Sequence, residues 1–264
     1  MLGCPRSGTS VLFQGLLRSP ELRSVQSEGH ILWDEFHHPR RRRWDSDALG
    51  AEDVSERERA YVYCAVRLVV RGRRFVDKTP ESCLRVSYLD SLFPDATFVF
   101  LRRRAAPNIA SLVEAWKARP RFVKYRLPEP LTGLGELNGD RWSFVLVPGW
   151  RDLATASLEE ICAAQYSACN EAALAAREQI GATRWLDVSY EALVAQPLVE
   201  LQALYARLEL PFGGGERDFA VRFAENVSRT ALDPPREEKW RDRAESIERV
   251  LPRVADLERR LGYA

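Results

Sequence analysis

The sequence has no C-x-x-C pair, and its five cysteines, Cys4, Cys64, Cys83, Cys162 and Cys169, are odd in number and scattered. That pattern points away from zinc and gives no sign of a disulfide framework. Cys64, Cys83, Cys162 and Cys169 fall in apolar helical patterns and read as small core residues. No run of about 18 apolar residues occurs, so no membrane span is expected. No leader with a charged head and an apolar centre is visible either, and the expected compartment is cytoplasmic. The net charge is only +1, so no global field advertises nucleic acid, and any anion site must be local. Lysine is scarce: four of the 39 basic residues, leaving 35 arginines. Arginine suits bidentate recognition of phosphate and sulfate, although GC-rich codon usage explains most of such an excess. Repeats and low-complexity tracts are absent.

What is present is a globular composition, 45% hydrophobic and 29% charged over 264 residues, enough to bury a substantial core. The most informative stretch is Gly3-Cys4-Pro5-Arg6-Ser7-Gly8-Thr9-Ser10, followed by the apolar run Val11 to Leu17. Glycines let backbone N–H groups converge on an anion, and a helix beginning just after them adds its own N–H groups and dipole. The G-x-x-x-x-G spacing fits a P-loop, but Thr9-Ser10 stand where Lys-Ser/Thr belongs, and the cation is Arg6, inside the loop. A plain glycine-rich turn before a helix is the alternative.

Further along, Asp53–Val70 reads as a helix with Tyr61, Cys64, Ala65, Leu68 and Val69 on its apolar side. Arg74–Asp77 reads as a short strand leading to a turn and a helix that ends near Leu92. Thr97–Leu101 is a continuous apolar, β-branched and aromatic run, hence a buried strand, and it opens into Arg102-Arg103-Arg104. Helices are expected near 107–116, 157–179 and 198–208, a strand over 183–188, a flexible link at Gly213–Gly215, and a last helical stretch broken at Pro252. From Arg119 to Trp150 no steady period survives, so a lid or acceptor-site insertion is expected over about 118–150. Arg40–Arg43, His37 and His38 read as surface. Strands alternating with helices give an α/β fold: a P-loop-type parallel sheet with helices on both faces, as a single domain over residues 1–264 with a loop-rich insertion.

Several segments, in order, resemble those of the PAPS-dependent sulfotransferases. Gly3–Ser10 looks like that family's 5′-phosphosulfate loop, which carries Lys or Arg at the position of Arg6. Leu101-Arg102-Arg103 with Ser111 eight residues on looks like its 3′-phosphate motif, although Arg104-Ala105 stand where Asp-Pro is usual. Asp77-Lys78-Thr79-Pro80-Glu81 is similar to its DKTPE segment. Ser189-Tyr190-Glu191-Ala192-Leu193 is similar to RYEDL, whose Tyr lies near the adenine. Lys239-Trp240-Arg241 and Leu261-Gly262-Tyr263 look like its KW…LGY tail. Glu28-Gly29-His30, 22 residues after Arg6, is similar to the E-x-H context of the carbohydrate branch, and the tyrosylprotein branch also uses a Glu in this region in a slightly different register.

The resemblance implies transfer of a sulfuryl group from 3′-phosphoadenosine-5′-phosphosulfate to an acceptor hydroxyl, releasing 3′,5′-ADP without a metal. It makes Glu28 the general base, with His30 as rival, and Arg6 and Lys78 the groups that stabilise the leaving oxygen. Arg6, Ser7, Gly8, Thr9 and Ser10 would hold the 5′-phosphate, Arg103 and Ser111 the 3′-phosphate, and Tyr190 the adenine. Ser228 and Arg229 would close over the 3′-phosphate. Trp116, Phe122, Lys124, Tyr125, Trp142 and Phe144 suggest a small-molecule, lipid or glycan acceptor. The alternatives are a P-loop kinase using Asp77 for Mg²⁺ and a non-catalytic nucleotide-binding relative.

Overall fold

The computed structural model describes residues 1–25, 29–223 and 237–263. The opening loop is fed by one extended residue, Leu2, which bridges Phe100 in parallel. Its N–H donates to the Val99 carbonyl at 2.7 Å, and its carbonyl accepts from the Leu101 N–H at 2.9 Å. The loop runs into α1 (Thr9–Leu16), and β1 (Leu22–Arg23), α2 (His30–His37) and α3 (Glu56–Val70) follow. Next come β2 (Arg74–Phe75), α4 (Val86–Leu92), β3 (Phe98–Arg102) and α5 (Ala105–Lys117). β1 pairs with β2 in parallel.

β4 (Val123–Leu131) and β5 (Gly139–Ser143) form a hairpin, and α6 (Leu158–Ile180) leads to β6 (Trp185–Ser189). β6 returns parallel to β3, with Phe98 opposite Trp185 and Arg102 opposite Ser189. α7 (Tyr190–Ala195), α8 (Pro197–Arg207), α9 (Gly214–Val221), α10 (Ala244–Glu248) and α11 (Ala255–Arg260) complete the helices among the described residues.

The side chains of β3 explain the layering. Phe98 and Phe100 enter a core with residues of α5 and α6, while Val99 and Leu101 enter one with residues of α1 and α8. A strand covered on both faces must be apolar throughout, which is why Phe98–Leu101 shows no polar alternation. The α/β fold with a parallel sheet and helices on both faces is the one expected.

Four local expectations are corrected. The 119–150 region is not loop: β4 and β5 pair antiparallel. Pro128 and Pro130 hid the strand, since each lacks a ladder donor, but both are exposed and fall between the paired residues Arg126 and Leu131. In α3 the buried residues are Glu58, Val62, Val66 and Val70, whereas Tyr61 and Leu68 are exposed, so the face was read out of phase. Gly213 is not a link but the residue that starts α9, its N–H accepted by Glu216. His37 is not simply surface, because its Nε2 meets the buried Glu58 carboxylate at 2.9 Å.

Cys64 is also corrected: it is exposed, while Cys4, Cys83, Cys162 and Cys169 are buried free thiols. Titration of the folded protein with Ellman's reagent should therefore give one fast thiol, the other four appearing only in denaturant. Two or more fast thiols would contradict this packing.

Candidate active site

Two residues with positive φ, Arg6 and Gly8, set the shape of the loop. Arg6 has φ 70 and Gly8 φ 102, so the chain reverses hand twice within three residues. Gly8 is required for a second reason: a Cβ there would lie 2.4 Å from Tyr190 Cδ2. α1 starts immediately after, with no side chain capping it. A helix start presents its first-turn N–H groups and the positive end of its dipole to the loop before it, and here the Val11 N–H closes that turn on the Gly8 carbonyl at 3.1 Å.

Two guanidinium groups meet over this loop. Arg103 donates to the Arg6 carbonyl at 2.8 Å. Arg6 Nε donates to Ser111 Oγ at 3.2 Å. Arg103 also lies 4.3 Å from the centre of the Tyr190 ring. Burial, and then the charge of Arg103, push Arg6 down to about 10. Burial likewise lowers Arg103, against the raising effect of Tyr190 and Glu191. Like charges sharing a half-buried cleft repel, and a bound anion would relieve that.

Sequence reasoning missed the supports. Asn108, buried on α5, donates to the Pro5 carbonyl at 2.9 Å. Tyr166 OH donates to the Arg103 carbonyl at 2.9 Å. A buried Asn one helical turn before Ser111 was the available signal for the first; nothing in the sequence marks the second. Arg102 donates to the Leu261 carbonyl and sits 5.1 Å from the Tyr263 ring, which pins the tail beside the site.

Lys78 is buried on the other flank. Its neighbour Asp77 accepts from the Gly29 N–H at 2.8 Å and from the Thr79 hydroxyl at 3.2 Å. Asp77 Oδ1 thus caps the start of α2, a structural duty the kinase alternative did not foresee. Glu28, Ser228 and Arg229 lie outside the described residues. His30, the rival base, is half-buried at the start of α2.

The acceptor candidates separate cleanly. Trp116 and Trp142 are fully buried, their indole N–H groups held by Gln165 at 3.0 Å and the Val145 carbonyl at 2.8 Å, so both are core. Tyr125 is buried with its hydroxyl on Asp47. Phe122 and Phe144 remain half-buried, their ring centres 5.4 Å apart, and the Phe122 ring lies 5.3 Å from the Arg6 guanidinium.

Ser7 Oγ and Arg103 Nε are buried without a hydrogen-bond partner among the described residues. Both are donors, and with the first turn of α1 they make a cradle that fits a phosphate-bearing group. A profile of the sulfotransferase family matches residues 1–127 and 141–214, well over half the chain. The chain belongs to the sulfotransferase family. The gap in the match, 128–140, falls on the outer part of the β4–β5 hairpin.

The chain is 28% identical to nodulation protein NoeE of Sinorhizobium fredii, over its whole length but only 65% of that protein's. It has the fold of the sulfotransferase domain from the curacin biosynthetic pathway, with TM-score 0.57, 17% identity and coverage of 100% of this chain and 96% of that one. It also has the fold of sulfotransferase STF9 from Mycobacterium avium, with TM-score 0.61, 16% identity and coverage of 100% and 76%. Among the described residues no helix is long and apolar enough to cross a membrane.

Beside the site lies a buried charge cluster that the sequence did not announce. Arg85 donates to the Asp47 carbonyl at 2.6 Å and to its carboxylate at 3.1 Å, and reaches Asp34 at 3.4 Å. Lys124 pairs with Glu81. Burial alone would raise Glu81, but Lys124 and Arg85 overcome it and hold Glu81 down at about 2, from an ordinary 4.5. A carboxylate depressed in the folded state stabilises the fold above its unfolded pKa and loses that contribution as pH falls. Glu81→Gln should thus be less stable than wild type at pH 7 by about 3 kcal/mol. The difference should shrink between pH 4.5 and about 2. Urea melts across that window test it; a pH-independent difference would contradict the assignment.

Proposed function

We propose that this sulfotransferase takes 3′-phosphoadenosine-5′-phosphosulfate as donor and transfers its sulfuryl group to an acceptor hydroxyl. The observation that supports this most directly is that Arg103 donates to the Arg6 carbonyl of the loop, while the Ser7 hydroxyl and Arg103 Nε are buried with no hydrogen-bond partner among the described residues. Such a cradle suits an anion carrying charge at more than one point, as the bisphosphorylated donor does.

Each residue then has a task. The N–H groups at the start of α1, with the hydroxyls of Ser7, Thr9 and Ser10, hold the 5′-phosphate, and Gly8 lets the backbone approach. Arg103 binds the 3′-phosphate. The Ser111 hydroxyl accepts from Arg6 Nε, which leaves its own proton to donate to the same phosphate. Tyr190 stacks beside Arg103 and offers the adenine an aromatic edge. The donor supplies a sulfuryl group on a good leaving group. Arg6 and Lys78 neutralise the charge that grows on the departing oxygen. Glu28 removes the acceptor proton as the new bond forms, work worth roughly 10²–10⁴-fold. Residues 1–264 act as one unit, with the hairpin forming the acceptor-side wall, and the acceptor is a small molecule, lipid or glycan bearing a hydroxyl.

Against the kinase alternative stand Thr9-Ser10 in place of the P-loop Lys, and Asp77 Oδ1, which already accepts from Gly29 and Thr79. Calorimetry with 3′,5′-ADP tests the donor side. Arg103→Met should weaken binding about tenfold or more, the loss of a charge-assisted hydrogen bond, and unchanged affinity would remove Arg103 from the pocket. With the radiolabelled donor and an acceptor panel, Arg6→Ala should lower kcat by about 10²-fold or more. A wild-type kcat would take Arg6 out of the chemistry.

A further inference from the structure

The β4–β5 hairpin carries a lysine that its ladder does not accommodate. Val123 pairs with Ser143 and Tyr125 with Trp142, so β4 advances two residues where β5 advances one. Lys124 is the extra residue. A bulge turns a side chain off the alternation of its strand. Here Lys124 and its neighbour Tyr125 both reach one acidic cluster instead of opposite faces. The Lys124 ammonium pairs with Glu81 and lies 3.8 Å from Asp34 Oδ2, while Tyr125 donates to Asp47 Oδ1 at 2.6 Å.

These partners belong to the donor half of the site. Glu81 is three residues past Lys78 on the same segment. Asp34 is on α2, whose start is tied to Asp77. Phe122, just before β4, covers the Arg6 guanidinium. Phe122 and Lys124 therefore grip both flanks of the site within three residues. The lysine side chain is only 20% exposed and Glu81 2%, whereas the hairpin's outer pair, Arg126 with Asp140, is 68% and 43% exposed. Glu81 Oε2 is buried with no hydrogen-bond partner among the described residues. Burying a hydrated ammonium is costly, and without it Asp34, Asp47 and Glu81 would face Arg85 alone.

We propose that Lys124 is a positioning residue: a clasp that registers the hairpin on the donor half of the site and so seats Phe122 on Arg6. The outer part of the hairpin, which the family profile leaves unmatched, is then free to differ while its base stays fixed. The proposal depends on the sulfotransferase reading only for the role given to Arg6.

The test is hydrogen exchange on the full chain, with and without 3′,5′-ADP, for wild type, Lys124→Met, Lys124→Arg and Glu81→Gln. Amide rates in 123–131 and 139–143 are compared with those in β3 and β6. Lys124→Met and Glu81→Gln should speed the hairpin amides about 10-fold or more relative to the central strands, and Lys124→Arg should restore them. Affinity for 3′,5′-ADP should stay within about fivefold throughout, since Arg103 and Ser111 are untouched. Hairpin rates that rise no more than those of β3 and β6 overturn the clasp, and so does a larger loss of affinity. If Lys124→Met does not fold, the pair Glu81→Gln and Lys124→Arg decides in the same way. If wild type itself binds no 3′,5′-ADP, the donor reading fails while the hairpin rates still decide the clasp.

Discussion

The hydrogen bond from the Arg103 guanidinium to the Arg6 carbonyl is the contact on which the site depends. Arg6 sits at φ 70, a conformation that costs a non-glycine residue about 1–2 kcal/mol. A hydrogen bond from a charged donor contributes about 1.5–3 kcal/mol, enough to offset that strain. One interaction thus fixes the shape of the loop and places a second cation beside it. Tyr166 and Asn108 hold the two chains that make it, through the Arg103 and Pro5 carbonyls.

The remainder of the fold serves that juxtaposition. Leu2 and β3 lie side by side, so the loop after Leu2 and the arginines after Leu101 emerge at the same edge of the sheet. β6 lies on the other side of β3 and delivers Tyr190 to the same edge. Three chain ends leave neighbouring parallel strands in one direction, which is where α/β folds place their ligands. The helices on both faces bury the apolar sides of β3 and keep that edge rigid.

Much of this was legible in the residues. The glycine spacing and following apolar run marked the loop, and Phe98–Leu101 could only be a strand covered on both sides. The hairpin was not legible, because Pro128 and Pro130 erase the donor pattern a strand usually shows, although the pairing simply skips them. The face of α3 was misread for a different reason. Glu58 is buried there against His37 and Tyr88, so the helix's inner stripe contains a carboxylate while Leu68 points to solvent. The buried cluster around Arg85 escaped for the same reason, since a charge inside a protein is defined by partners far along the chain. Asp47, Glu81 and Lys124 give no local sign that they meet.

The central claim is that the cleft between residues 6 and 103 holds both phosphates of one adenosine. A crystal structure with 3′,5′-ADP measures it most directly. The 5′-phosphate should lie against the first turn of α1 beside Arg6, and the 3′-phosphate against Arg103 and Ser111, with the base near Tyr190. Density for the nucleotide elsewhere, or phosphates out of hydrogen-bond reach of Arg103, would contradict it.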